Sequence, residues 1–201
     1  MIRMILVIAA LTGLAGCAAA PGGGTDAFVG GPQQSVVARG SYTHSGPPAL
    51  TLITVRNNRT GFGAHTALLI NAGERVIFDP AGSFHHEEIE RRGDVLIGID
   101  PAFWQGFKSM HARATHHVVT QRIEVSPAVA ARALELAYAR GEVAAAHCAH
   151  STGNILRQLP GFSGIDVGYY PNDLAEQFER ITGAPQVPFY ENFTPQGAVA
   201  S

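Results

Sequence analysis

Hydrophobic positions divide the chain into three regimes. Residues 4–11 form an unbroken apolar run, residues 18–48 are rich in Gly, Pro, Ala and Gln without a sustained apolar period, and from residue 49 short apolar segments alternate with polar turns. Residues 49–56 (ALTLITVR) alternate β-branched and apolar types and read as a strand, followed by a polar, glycine-containing loop over 57–63. Two apolar runs, 65–71 (HTALLIN) and 75–79 (RVIFD), are joined through Ala72-Gly73-Glu74 and predict a β-hairpin. Asp100-Pro101 has the form of an N-cap and first helical residue, opening a short helix to about Met110. Residues 115–125 read as a further strand, with His117 and Val119 among the alternate positions able to face a core. Ser126-Pro127 starts a helix that runs to about Arg140 and closes at Gly141. Another begins near Cys148 and ends before Pro160-Gly161, and a last one spans about Asn172 to Thr182 with Gly183 as its stop. Strands early and helices late predict an α+β fold, an antiparallel sheet with helices on one face.

The opening run has a different meaning. Arg3, the apolar segment and the small residues that follow have the order of a secretory signal, and the segment is shorter than the roughly 20 residues a membrane-spanning helix needs. Leu14-Ala15-Gly16-Cys17 resembles the lipobox of bacterial lipoproteins. That resemblance implies that Cys17 is acylated and becomes the mature N-terminus, holding the protein at a membrane on the periplasmic side. Alanine, not aspartate, follows Cys17, which favours the outer membrane over the inner one where there are two. The expected organisation is therefore a signal peptide over 1–16, a lipid-anchored flexible tether over 17–48, a domain over 49–185 and a tail over 186–201. The domain, about 150 residues, is long enough to build its own core.

Composition narrows the function classes. Fourteen basic and sixteen acidic residues give a formal charge of -2, and removal of Arg3 with the signal makes it more negative, so nucleic acid is not an expected partner. No internal repeat is visible. The cysteines are only Cys17 and Cys148. With Cys17 lipidated, Cys148 is a single thiol in an oxidising compartment, a placement that points to reactivity before structure, with a buried inert cysteine as the alternative.

Three side chains sit where backbone context favours chemistry. Cys148 falls at a predicted helix N-terminus, where open N–H groups and the helix dipole favour a thiolate. His65 opens the first strand of the hairpin and Asp79 ends the second, so the carboxylate can orient one imidazole nitrogen and leave the other for the thiol. Other histidines are numerous: His85-His86, His116-His117, and His147 with His150. His147, Cys148 and His150 could supply metal ligands, but no CxxC pair or HExxH string accompanies them, and no native metal site is expected. His147 and His150 are expected to flank the thiol. Tyr169 and Tyr170, downstream of the cysteine helix, could line the same cleft together with His147, or pack against the sheet. The charged segment 84–93 (FHHEEIERRG) reads as a solvated turn near the mouth of the site.

HTALLINAGERVIFDP, followed later in the chain by HCAHSTGNILRQL, resembles the NlpC-like papain-fold peptidases and amidases. In ordinary members the cysteine helix precedes the histidine strand. Here the order is that of the circularly permuted branch, which includes the YaeF/YiiX-type proteins and the lecithin retinol acyltransferase-like enzymes. The resemblance covers roughly residues 50 to 183 and rests on short motifs. It implies Cys148 as nucleophile, His65 as general base and Asp79 as the orienting group, where many relatives carry histidine or another polar residue. It implies no cofactor. The expected activity is a thiol hydrolase or acyltransferase acting on an amide or ester in the cell envelope, such as a peptidoglycan peptide or a lipid acyl group. A non-catalytic envelope-binding lipoprotein with a vestigial cleft and a periplasmic metal-binding protein using the histidine pairs are the alternatives.

Overall fold

The structure is a computed structural model that describes residues 42–191. The signal peptide, Cys17 and most of the expected tether lie outside these residues. The described chain is α+β, with an antiparallel seven-stranded sheet and four helices. In chain order these are β1 (Ala49–Asn57), β2 (Gly63–Asn71), β3 (Arg75–Phe78), β4 (Arg91–Arg92), β5 (Val95–Ile97), α1 (Pro101–His111), β6 (His116–Glu124), α2 (Pro127–Arg140), α3 (Cys148–Arg157), α4 (Pro171–Thr182) and β7 (Val187–Phe189). The sheet order is β4-β5-β3-β2-β1-β6-β7. The hairpin predicted around Ala72-Gly73-Glu74 is β2–β3, paired from Asn71↔Arg75 to Leu68↔Phe78.

The sheet is buried on both faces, which corrects the expectation of helices on one face. Leu50, Leu52, Leu68, Ile70, Val76 and Phe78 pack in one core with residues of α2, α3 and α4. Their strand neighbours Ile53, Ala67, Leu69 and Ile77 point the other way and pack with Phe103 and Phe107 of α1. Successive residues of a strand alternate between faces, so continuous apolar runs such as ALLI and VIF require cover on both sides. α1 supplies the second cover. Asp100 caps it by accepting a hydrogen bond from Phe103 N at 2.8 Å, and Pro101 occupies its first turn.

The segment 84–93 also departs from the solvated turn expected of it. Phe84 and Ile89 are buried in the core beneath α1, and Arg91–Arg92 forms β4 against β5. At the other end, residues assigned to a tail begin with β7, which pairs with β6 through Val118↔Phe189.

The elements that matter most for chemistry meet at one end of the sheet. The β1–β2 register shifts between Val55 and Arg56, whose partners are His65 and Gly63, so a bulge lies directly beside His65. Bulges re-aim neighbouring side chains and often border functional sites. Gly63 makes the approach of α4 possible, because a Cβ there would lie 2.7 Å from Pro171 Cβ and 2.9 Å from Asn172 Oδ1. Asn172 then ties the two elements together, accepting from Arg56 Nε and donating to Gly61 O, both at 2.9 Å.

Candidate active site

His65, Asp79 and Cys148 come together where β2, the end of β3 and the start of α3 converge. His65 Nε2 and Asp79 Oδ1 are 2.7 Å apart, with side-chain exposures of 15% and 0%. Because Asp79 takes Nε2, Nδ1 is the imidazole nitrogen left to exchange a proton with the thiol. Asp79 lies just beyond the last β2–β3 pair, held by its own N–H donating to Asp94 O at 2.8 Å. Its carboxylate rests against Gly82, in space that a Cβ at that position would fill.

Cys148 is buried at the first position of α3. His147 forms no side-chain cap, so first-turn N–H groups of α3 remain open to an anion. Ala146, two residues before the thiol, has φ of +63°, a left-handed conformation that costs a non-glycine residue energy and occurs often at functional sites. Burial alone would raise the Cys148 pKa. Its hydrogen bond and Coulomb interaction with His65, with help from the N–H groups of Thr66 and Ala149, outweigh burial and lower it. The converse holds for His65. Burial opposes its charge, but hydrogen bonds to Asp79 and Cys148 and their negative charges lift its pKa to about 9. The arrangement favours a thiolate–imidazolium pair, the nucleophilic state of a cysteine enzyme.

His111 was not singled out by sequence. It ends α1 and stacks on His65 with ring centroids 5.7 Å apart and planes 8° from parallel. Its Nδ1 donates to Phe107 O at 2.9 Å, which leaves Nε2 with a bare lone pair. Burial pushes its pKa below the ordinary histidine value, so the neutral form dominates near neutral pH. Among the described residues, the group of three metal-ligating side chains with donor atoms within 4.8 Å of one another is His65, Asp79 and His111. Only the hydrophobic periodicity of α1, extended by one residue past Met110, could have placed His111 beside the hairpin.

The other sequence candidates take distinct positions. His147 packs edge-on against Tyr169 at 5.3 Å, and His150 stacks on the same ring at 4.8 Å, forming a cluster around the start of α3. Tyr170 turns away from that cluster and, with Phe62, Gly63, Pro171 and Glu176, lines a cleft of about 530 Å³ beside the start of β2. Phe62, Tyr169 and Tyr170 are all exposed. His85 and His86 are exposed, with His86 set edge-on to Phe103, while His117 Nδ1 pairs with Asn58 Oδ1 at 2.8 Å and its ring stacks on Tyr190. None of these last three is placed with the thiol.

Asp94 is a second residue that sequence reading passed over. Nearly buried, it binds Arg91 at 2.7 Å and accepts hydrogen bonds from Ala81 N and Val143 N, both at 2.9 Å. One side chain thus fastens the loop carrying Asp79 to the loop leading to Cys148. The chain matches no family model, no curated protein and no solved structure.

Proposed function

We propose that this chain is a cell-envelope thiol hydrolase or acyltransferase acting on an amide or ester bond, built on a permuted papain-like, NlpC-like fold. The observation that carries this reading is the His65 Nε2–Asp79 Oδ1 contact at 2.7 Å, set next to a Cys148 whose pKa is lowered by His65. A base oriented by a third group, facing a thiol at a helix N-terminus, is the arrangement that makes a weak nucleophile reactive. The fold assignment is supported by the order histidine strand, carboxylate strand, cysteine helix. The envelope assignment is supported by the LAGC string after a signal-like segment.

In this reading the Cys148 thiolate attacks the substrate carbonyl, forming a C–S bond while the carbonyl π electrons move to oxygen. Open N–H groups at the start of α3 receive that oxyanion. The tetrahedral intermediate expels an amine or alcohol, which takes the proton from His65 Nδ1. His65 then removes a proton from water, or from another acceptor, which displaces Cys148 and restores the pair. Asp79 keeps its proton-free form throughout and fixes the imidazole's orientation.

Iodoacetamide labelling of Cys148 across pH tests the reading. The wild type is expected to label with an apparent pKa below the ordinary thiol value of about 8.5, and His65→Gln is expected to return it toward that value. An ordinary thiol pKa in both proteins would overturn the assignment. Membrane attachment is tested separately: Cys17→Ser should move the protein from the membrane to the soluble fraction, since lipid supplies the anchor.

A further inference from the structure

The side chains around the thiol offer more than a base and its orienting group. Asp79 is fully buried, and its Oδ2 has no hydrogen-bond partner among the described residues. An unpaired buried carboxylate oxygen is costly. His111 presents a bare Nε2 from the opposite side, and its Nδ1–H donates to a backbone carbonyl. Histidines that bind metals are commonly held in this way, one nitrogen donating to a carbonyl so that the other faces the ion.

We propose that His65, Asp79 and His111 form a binding site for a zinc-class divalent cation, which on binding withdraws His65 from Cys148. Two imidazoles and one carboxylate suit Zn²⁺, whereas Mg²⁺ and Ca²⁺ prefer oxygen donors. Ligand bonds of about 2.0–2.1 Å around a tetrahedral ion place donor atoms about 3.3 Å apart. The His65–Asp79 pair must therefore open slightly from 2.7 Å, and the set of donors, now within 4.8 Å, must close slightly. Side-chain rotation accomplishes both. The cation takes the place of the proton shared by Nε2 and Oδ1, which leaves to solvent, and its fourth position stays open to water. Binding stands independently of catalysis. Its consequence, suppression of the thiol, rests on the function proposed above.

Equilibrium dialysis of untagged, chelator-stripped full-length protein against Zn²⁺ tests the site. The wild type is expected to bind one ion per chain at micromolar concentration. His111→Phe, which keeps a ring against Phe107 and removes the ligand, should weaken that binding at least tenfold, and His111→Gln should act likewise. Cys148→Ala should bind as the wild type does. Thermal unfolding confirms that each variant is folded and reads the same binding as a zinc-dependent rise in melting temperature. Zinc should slow iodoacetamide labelling of wild-type Cys148, reversibly with EDTA, and have little effect on labelling of His111→Phe. Absence of stoichiometric binding, wild-type affinity in both His111 variants, or loss of binding in Cys148→Ala would each overturn the site. Binding that depends on His111 alongside a thiol of ordinary reactivity would leave the site standing and remove the enzyme reading.

Discussion

At position 82 any side chain beyond hydrogen would occupy the space of the Asp79 carboxylate, so a glycine seventeen residues from His65 controls the base's partner. Gly82→Ala should displace the carboxylate without altering any charge, lower the His65 pKa and raise that of Cys148. Asp79→Asn should shift both in the same directions by weakening the imidazolium's partner. Each variant is expected to slow Cys148 labelling at neutral pH by about tenfold, the equivalent of one pKa unit. Labelling at the wild-type rate in both would mean that Asp79 does not govern the thiol. Cys148, His65 and Asp79 were legible because each stands at a boundary of a predicted element, where chain order and the hairpin's geometry fix their meeting. His111 was not, because its partner is set by how α1 crosses the sheet. Asp94 was not, because a buried carboxylate serving two loops leaves no periodic signal.

Among the elements, the hairpin and four helices followed from local rules: Asp100 and Ser126 as caps, Pro101 and Pro127 in first turns, Gly141 and Gly183 as stops. The short strands β4, β5 and β7 escaped, since two or three residues carry too little pattern and form only by pairing with a neighbour. The placement of α1 on the opposite face was foreshadowed by unbroken apolar runs, whose double burial outranks the simple order of strands before helices. What holds the two loops of the site in register is Asp94. Asp94→Ala would leave Arg91 without its carboxylate and two backbone N–H groups without acceptors. The expected loss is about 3 kcal/mol in urea unfolding, with slower Cys148 labelling in the protein that remains folded. A loss under about 0.5 kcal/mol, the range of ordinary surface substitutions, would show that the clamp contributes nothing.

For the molecule as a whole, the imidazole–carboxylate–thiol cluster couples stability to pH. The folded-state pKa of His65 is raised from 6.5 to about 9, so between those values the native state keeps a proton that the unfolded chain has released. Stability from this group is complete below the unfolded value and is lost as pH rises through the folded one. Cys148 acts in the opposite sense. Its folded pKa is lowered from 9.0, so it contributes stability above the unfolded thiol value that is lost as pH falls through the folded pKa. The two dependences oppose each other where their windows overlap, which flattens the profile of the wild type. Removing the thiol should expose the histidine's share. In metal-free Cys148→Ala, with Asp79 still raising the His65 pKa, unfolding free energy is expected to fall between about pH 6.5 and 9 more steeply than in the wild type. In His65→Gln that decline should disappear, because glutamine can still donate to Asp79 but cannot titrate. Urea denaturation at half-unit pH intervals measures all three profiles. Parallel profiles in wild type and Cys148→Ala would mean that thiol and imidazole titrate independently, and so that the charge pair at the centre of the site does not form.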